Sequence, residues 1–149
     1  MFKSIAPIAL AAAIAGVFST GTSHAQAQGN VRAVAQALLQ FEQEMKWEAG
    51  QDSWRDDRPG WVAGLQNART AADVARALGV LEVAMKWEAV DGSWRGTRPG
   101  WVSQVAAATS AAEVARLLLI LEQATTWEAM NDSWRSSRPG WVSGLQAVR

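Results

Sequence analysis

Apolar residues recur along this chain at the spacing of two amphipathic helices, and the pattern repeats every 40 residues. In the middle copy, Val74, Leu78 and Leu81 stand at i, i+4 and i+7, which is typical of one buried helix face. Further along, Trp101 and Val105 begin a second, shorter apolar stripe. We therefore expect a first helix that runs to about residue 89, a polar break, and a short second helix.

Capping and proline signals set the expected helix starts. Thr70 is followed three residues later by Asp73, and Ser110 by Glu113, as in a capping box before the first helix. The second helix is expected to start at the Arg-Pro-Gly-Trp segment, because proline suits a first helical turn and restricts the residue before it. The preceding Trp-Arg pair would then lie in the loop.

All nine tryptophans fall into three columns that are 40 residues apart. The columns are Trp47, Trp87 and Trp127; Trp54, Trp94 and Trp134; and Trp61, Trp101 and Trp141. Helices of about ten residues are marginal alone, so the copies must stack. The sequence predicts an all-α domain at 31–149, made of helix-loop-helix repeats at 31–70, 71–110 and 111–149. A short solenoid and a closed six-helix bundle both remain open.

The third copy departs from the other two at two neighbouring positions. It carries Thr125 and Thr126 where the middle copy has Met85 and Lys86. In an open array, a terminal repeat needs a polar outer face. We interpret the two threonines as such a cap.

The first residues have the composition of a secretory signal peptide. Lys3 precedes an apolar, alanine-rich run, and small residues then allow cleavage after Ala25 or Ala27. We expect a signal peptide at 1–25, a short linker at 26–30, and a periplasmic or secreted product without a transmembrane span. The apolar run is too short to cross a bilayer comfortably.

Composition removes several classes of chemistry. The chain has no cysteine and no tyrosine, and its only histidine, His24, lies in the expected signal segment. Nucleophilic triads and histidine- or thiolate-bound metals are therefore excluded from the mature chain, and no catalytic residue, metal or cofactor is assigned. With 14 basic and 14 acidic residues, the chain lacks the positive charge of a nucleic-acid-binding protein.

Tryptophan beside arginine in the loop is the candidate binding surface. An indole offers a flat apolar face, and a guanidinium binds carboxylate or phosphate. The candidate ligand-binding residues are Trp54, Arg55, Trp94, Arg95, Trp134 and Arg135. The other two columns are expected to pack in the core or between repeats.

A glutamate of the first helix and the arginine before proline recur together in every copy. We expect them to form structural ion pairs that hold the loop to the helix. The candidate pairs are Glu42 with Arg58, Glu82 with Arg98, and Glu122 with Arg138.

The sequence thus favours an exported, non-enzymatic binding module whose partner is a cell-envelope glycan, such as peptidoglycan, or another envelope protein. One alternative is a structural or protein-interaction scaffold with buried tryptophans. Two weaker alternatives are a carboxylate-based glycan hydrolase and a membrane-surface binder.

Overall fold

A computed structural model describes residues 8–149, with side chains from residue 23 onward, as six α-helices. The helices are α1 (Ile8–Glu44), α2 (Trp54–Gln66), α3 (Ala71–Ala84), α4 (Trp94–Ala107), α5 (Ala111–Ala124) and α6 (Trp134–Gln146). A short 3-10 turn lies between the two helices of each copy, at Trp47–Ala49, Trp87–Ala89 and Trp127–Ala129. The all-α repeat architecture is therefore confirmed.

The three copies close into a ring. The first helices of the copies, α1, α3 and α5, pack on one another at the centre. Each second helix lies between its own first helix and that of the next copy, and α6 packs on α1 in the same way. Leu38, Leu78 and Leu118, at the same position of each central helix, are fully buried. Of the two arrangements left open by the sequence, the protein adopts the closed six-helix bundle.

Closure gives the third copy the same kinds of neighbours as the other two. Our interpretation of Thr125 and Thr126 as the cap of an array end is therefore wrong, because a ring has no end. Thr126 instead donates its backbone N–H to the carbonyl of Ala89 at 2.8 Å, in the previous copy. Lys86 donates in the same way to Ala49, at 2.8 Å.

These bonds belong to a cycle at one end of the ring. We call this end, formed by residues 45–50, 85–90 and 125–130, the bridged end. Lys46 completes the cycle by donating its N–H to the carbonyl of Ala129 at 2.9 Å. Each segment also pairs with its neighbour at a single antiparallel bridge. The last carbonyls of the central helices are also paired between copies, because those of Glu44, Ala84 and Ala124 accept the backbone N–H groups of Asn131, Gln51 and Asp91 at 2.7–2.8 Å.

Two expected helix boundaries are displaced. The first helix ends at Ala84 rather than near residue 89, because Met85 turns to extended backbone and enters the bridged end. The second helix begins at Trp54 rather than at the arginine–proline junction, and Pro59 lies inside it. The expected loop pair Trp-Arg is consequently the first turn of a helix.

The start of the first helix differs between copies. In copy two, Thr70 and Asp73 form the expected capping box, with bonds of 3.0 and 3.1 Å. Backbone and hydroxyl donors to this carboxylate hold the pKa of Asp73 below its usual value. In copy three, Ser110 accepts the backbone N–H of Glu113 at 3.2 Å.

Copy one has no such start, because α1 passes without a break through residues 26–30, which we expected to form a linker. Asn30, within α1, donates its side-chain amide to the carbonyl oxygen of Arg149 at 2.8 Å and so joins the two ends of the repeat domain. Residues 1–7 of the expected signal peptide lie outside the described residues, and the proposed cleavage remains a prediction.

Candidate functional site

The tryptophans that we expected in a loop are buried against the central helices. Trp54, Trp94 and Trp134 are 5%, 1% and 0% exposed. Their indole N–H groups donate to Oε2 of Glu42, Glu82 and Glu122 at 3.0, 2.9 and 3.0 Å. The expectation that these indoles form an exposed ligand-binding platform is wrong, because a buried carboxylate one helix away provides the acceptor that a buried indole needs.

The three expected ion pairs are present at the same carboxylates. The arginine Nε donates to Oε2 at 2.7 Å in Arg58, 2.7 Å in Arg98 and 2.6 Å in Arg138. These bonds raise the pKa of each guanidinium, so the arginines remain charged. Each glutamate is 6% exposed and thus binds one indole and one guanidinium in the protein interior.

The third tryptophan column fastens each copy to the next. Trp61 and Trp101 donate their indole N–H groups to the carbonyls of Ala77 and Leu117, at 2.8 and 2.9 Å. Trp141 makes the equivalent bond to Ala37 of copy one at 2.9 Å, across the point of ring closure. The rings also lie edge-on to the tryptophans of the buried column, with centroids 5.0–5.3 Å apart. This column is structural, as expected.

The remaining column is the exposed one. Trp47, Trp87 and Trp127 keep 51%, 48% and 48% of their surface accessible. All three lie in the 3-10 turns of the bridged end, just after the central helices finish. Half-exposed indoles at three equivalent positions are unusual for the largest aromatic side chain, which is ordinarily well buried.

An arginine guanidinium lies over the face of each exposed indole. The Cζ atoms of Arg55, Arg95 and Arg135 lie 5.0, 4.5 and 4.8 Å from the ring centroids of Trp47, Trp87 and Trp127. We call these the three Trp–Arg pairs. The arginines of the predicted binding site thus face an exposed indole, but it belongs to the tryptophan eight residues earlier rather than to the adjacent one.

A signal for this pairing was present in the sequence. Trp87 falls away from the apolar stripe of Val74 and Leu78, which left exposure or packing on a neighbouring segment as its options. Our prediction that this column packs between the copies is wrong, since about half of each indole is exposed. The early end of the first helix, which sequence periodicity does not reveal, places these indoles at the surface.

Cavities open beside two of the exposed indoles. One, of about 220 Å³, is bordered by Lys46, Trp47, Trp54 and Arg58 together with Glu42. The counterpart in copy two, also about 220 Å³, is bordered by Lys86, Trp87, Val90, Arg98 and Glu82. In each case two cations, at least one indole and one carboxylate share the border.

A family model described as "Domain of unknown function (DUF8799)" matches the chain twice, at residues 30–87 and 80–125. The chain belongs to this family. Both matches extend beyond one 40-residue copy; the first contains residues 45–50 of the bridged end, and the second contains residues 85–90. No curated protein and no solved structure matches the chain.

Two further observations concern metal binding and membrane-spanning helices. Among the described residues, no group of three or more histidine, cysteine, aspartate or glutamate side chains is arranged to bind a metal ion. No helix within residues 8–149 is both long and apolar enough to cross a membrane.

Proposed function

We propose that this chain is an exported, non-enzymatic binding module that contacts its ligand through the three Trp–Arg pairs. The observation that carries the proposal is the half-exposed indole under a guanidinium, repeated three times around one end of a ring. Six of the nine tryptophans satisfy their N–H groups in the interior. The other three leave apolar surface in water, which is a cost that a binding surface would explain.

The chemistry of a Trp–Arg pair favours a ligand with both apolar faces and acidic or hydroxyl groups. The indole offers a rigid flat surface, and the stacked guanidinium keeps its five N–H donors in a planar fork that suits carboxylate or phosphate. Cell-envelope glycan, including peptidoglycan, has these features. The choice of the envelope rests on the expected signal peptide at residues 1–25.

Threefold repetition favours a polymer over a single small molecule. When one unit of a chain-like ligand binds, the next binding event becomes intramolecular and gains effective concentration. Three weak positions around one end of a rigid body can therefore hold a repetitive glycan firmly, whereas a catalytic centre gains nothing from three equal copies.

The hydrolase alternative receives little support from the two cavities. Hydrolysis of a glycosidic bond ordinarily needs two carboxylates that flank the bond. The copy-one cavity is bordered by Glu42 alone among acidic residues, and the copy-two cavity by Glu82 alone.

A protein-interaction scaffold is the second candidate, and one observation favours it. Val80, Val83 and Val102 are 47%, 66% and 38% exposed around an apolar groove that copy two forms together with Trp54 and Asp57 of copy one. Exposed aliphatic surface of this kind is typical of protein–protein contacts. A partner bound there would contact α2, α3 and α4 rather than the three Trp–Arg pairs.

The test compares two sets of variants in co-sedimentation with purified peptidoglycan and with an insoluble acidic polysaccharide. The triple variant Trp47→Ala, Trp87→Ala and Trp127→Ala should still unfold in one cooperative transition but lose retention on at least one polymer. The control is Val80→Ser, which removes exposed apolar surface away from the cavities beside Trp47 and Trp87 and should be retained normally. Unchanged retention of the triple variant, or no retention of the wild type on either polymer, would overturn the proposal.

A further inference from the structure

One position of the bridged end distinguishes copy one from the others. Gly50 occupies the place of Val90 and Met130, whose side chains are buried. The backbone at Gly50 is ordinary extended chain, with φ −100° and ψ 156°, and Val90 is similar at −123° and 157°. Nothing in the backbone conformation therefore requires glycine there.

The missing side chain uncovers a buried indole. A Cβ atom at Gly50 would lie 3.6 Å from Cδ1 and 3.7 Å from Cβ of Trp54, which are ordinary contact distances. The copy-one cavity accordingly reaches Trp54 and Leu81, whereas the copy-two cavity is bordered by Val90 and does not reach Trp94. The two cavities have the same volume, about 220 Å³, so the difference made by Gly50 lies in the residues that border the cavity rather than in its size.

The carboxylate of copy one also differs. In copies two and three, the arginine Nη2 donates to Oε1 of Glu82 and Glu122, at 2.9 Å in both. Oε1 of Glu42 is buried and has no hydrogen-bond partner, and Arg58 binds this carboxylate only through Nε. A buried acceptor without a donor is costly. A ligand that donates a hydrogen bond to Oε1 of Glu42 would remove this cost and so bind more tightly.

Three features of the residues around this cavity therefore restrict the kind of ligand that it can bind. Glu42 needs a donor. Lys46 and Arg58 give an excess of one positive charge over that single carboxylate and favour an anion. Trp47, Trp54 and Met85 offer apolar surface. The cavity is smaller than the roughly 300–1,000 Å³ of sites for drug-sized ligands, so one small unit fits rather than an oligomer.

We propose that the cavity beside Gly50 binds a small acidic sugar unit, such as a uronic acid. A sugar hydroxyl both donates and accepts, so it can serve Glu42 while its carboxylate meets Lys46 and Arg58. The ring supplies an apolar face for the indoles. This inference deepens the proposed function by naming the unit that copy one takes from an acidic glycan, although the cavity could bind that unit even if the three pairs bound no polymer.

The test titrates the full chain with sodium glucuronate, followed by calorimetry and by the indole N–H signals in an NMR spectrum. The wild type should bind saturably, with the signals of Trp47 and Trp54 moving most. Gly50→Val, which copies the residue of copy two, should fold at least as stably, because the backbone already suits valine. It should bind glucuronate at least about tenfold more weakly.

Matched controls separate the outcomes. Gly92→Val places the same side chain at an exposed turn position with open space around it, and should bind like the wild type. Lys46→Thr, which introduces the residue found at position 126, should weaken the binding of glucuronate but hardly change the binding of glucose. Absence of saturable binding, equal affinity for glucose, or normal binding by Gly50→Val would each overturn the inference.

A last variant distinguishes this inference from the proposed function. Trp87→Ala with Trp127→Ala leaves the copy-one cavity intact and should bind glucuronate normally while losing retention on acidic polysaccharide. If polymer retention is unchanged and glucuronate still binds, the proposed function fails and the cavity stands. If retention falls but glucuronate does not bind the wild type, the cavity proposal fails alone.

Discussion

Two columns of tryptophan lie only seven residues apart in every copy, yet one is in the core and the other at the surface. Trp94 is 1% exposed and donates to a buried glutamate, whereas Trp87 is 48% exposed under an arginine. Both have charged neighbours in sequence. The difference lies in the tertiary partner, because a buried indole needs an acceptor for its N–H and only Trp94 finds one on the central helix.

The arginines divide in the same way. Arg98 joins Trp94 at the carboxylate of Glu82, while Arg95, the immediate neighbour of Trp94, turns outward onto Trp87. The Trp-Arg-x-x-Arg motif therefore has two faces. On one face, the tryptophan and the second arginine bind the buried glutamate; on the other, the first arginine stacks on the exposed indole. Identical residue types perform structural work or remain available for binding according to the side of the helix turn on which they lie.

The largest expected effect is the difference in unfolding free energy between substitutions in the two tryptophan columns. Trp94→Ala should lower the free energy of unfolding by about 3–5 kcal/mol, since it empties a core position and leaves Glu82 with one donor fewer. Trp87→Ala should cost only about 0.5–1 kcal/mol, because it mainly loses the exposed cation–π contact with Arg95. Urea titrations of both variants measure the difference. Similar losses for the two would show that the exposed column is also part of the core.

A smaller effect should separate the two arginines. Arg98→Ala removes a charged donor from a buried carboxylate and should cost about 1.5–3 kcal/mol. Arg95→Ala loses only an exposed cation–π contact, worth about 0.5–1 kcal/mol. The hydrogen bond to Glu82 raises the pKa of Arg98, so the contribution of this arginine to stability is present at neutral pH and is lost only in strongly alkaline solution. Denaturation at neutral pH and at pH about 10 should therefore rank the variants alike; a reversed ranking would contradict the assigned ion pair.

Much of the fold follows from sequence periodicity. The apolar stripe that includes Leu78 fixes the helix and its buried face, and Thr70 with Asp73 fixes its start. Ring closure does not follow, because the same apolar surfaces would serve an open stack. Closure depends on a contact between Trp141 and Ala37, separated by most of the chain, and no local pattern records such a contact.

The candidate site was predictable in part. The pairing of Glu82 with Arg98 follows from their recurrence in each copy, since a buried charge must have a partner. The observed roles of Trp87 and Trp94 are the reverse of the predicted ones, because the proline signal predicts a helix start after Trp94 and so leaves Trp94 in a loop. Which indole is buried depends on where the first helix ends, and that end is set by backbone pairing with another copy at Met85.

The smallest expected effect concerns the lysines that precede two of the exposed tryptophans, and it tests whether these lysines contribute to ligand binding. Copy three has Thr126 in place of Lys46 and Lys86, and its hydroxyl is buried without a partner. Thr126→Lys should change stability by no more than about 0.5 kcal/mol. It should strengthen retention on an acidic polysaccharide by about 0.2–1 kcal/mol at low salt, the usual range for an exposed ion pair. The gain should vanish near 1 M salt, where charges are screened within about 3 Å. The reciprocal Lys86→Thr should lose a similar amount, and if neither variant alters retention, the bridged end binds through its indoles without help from these cations.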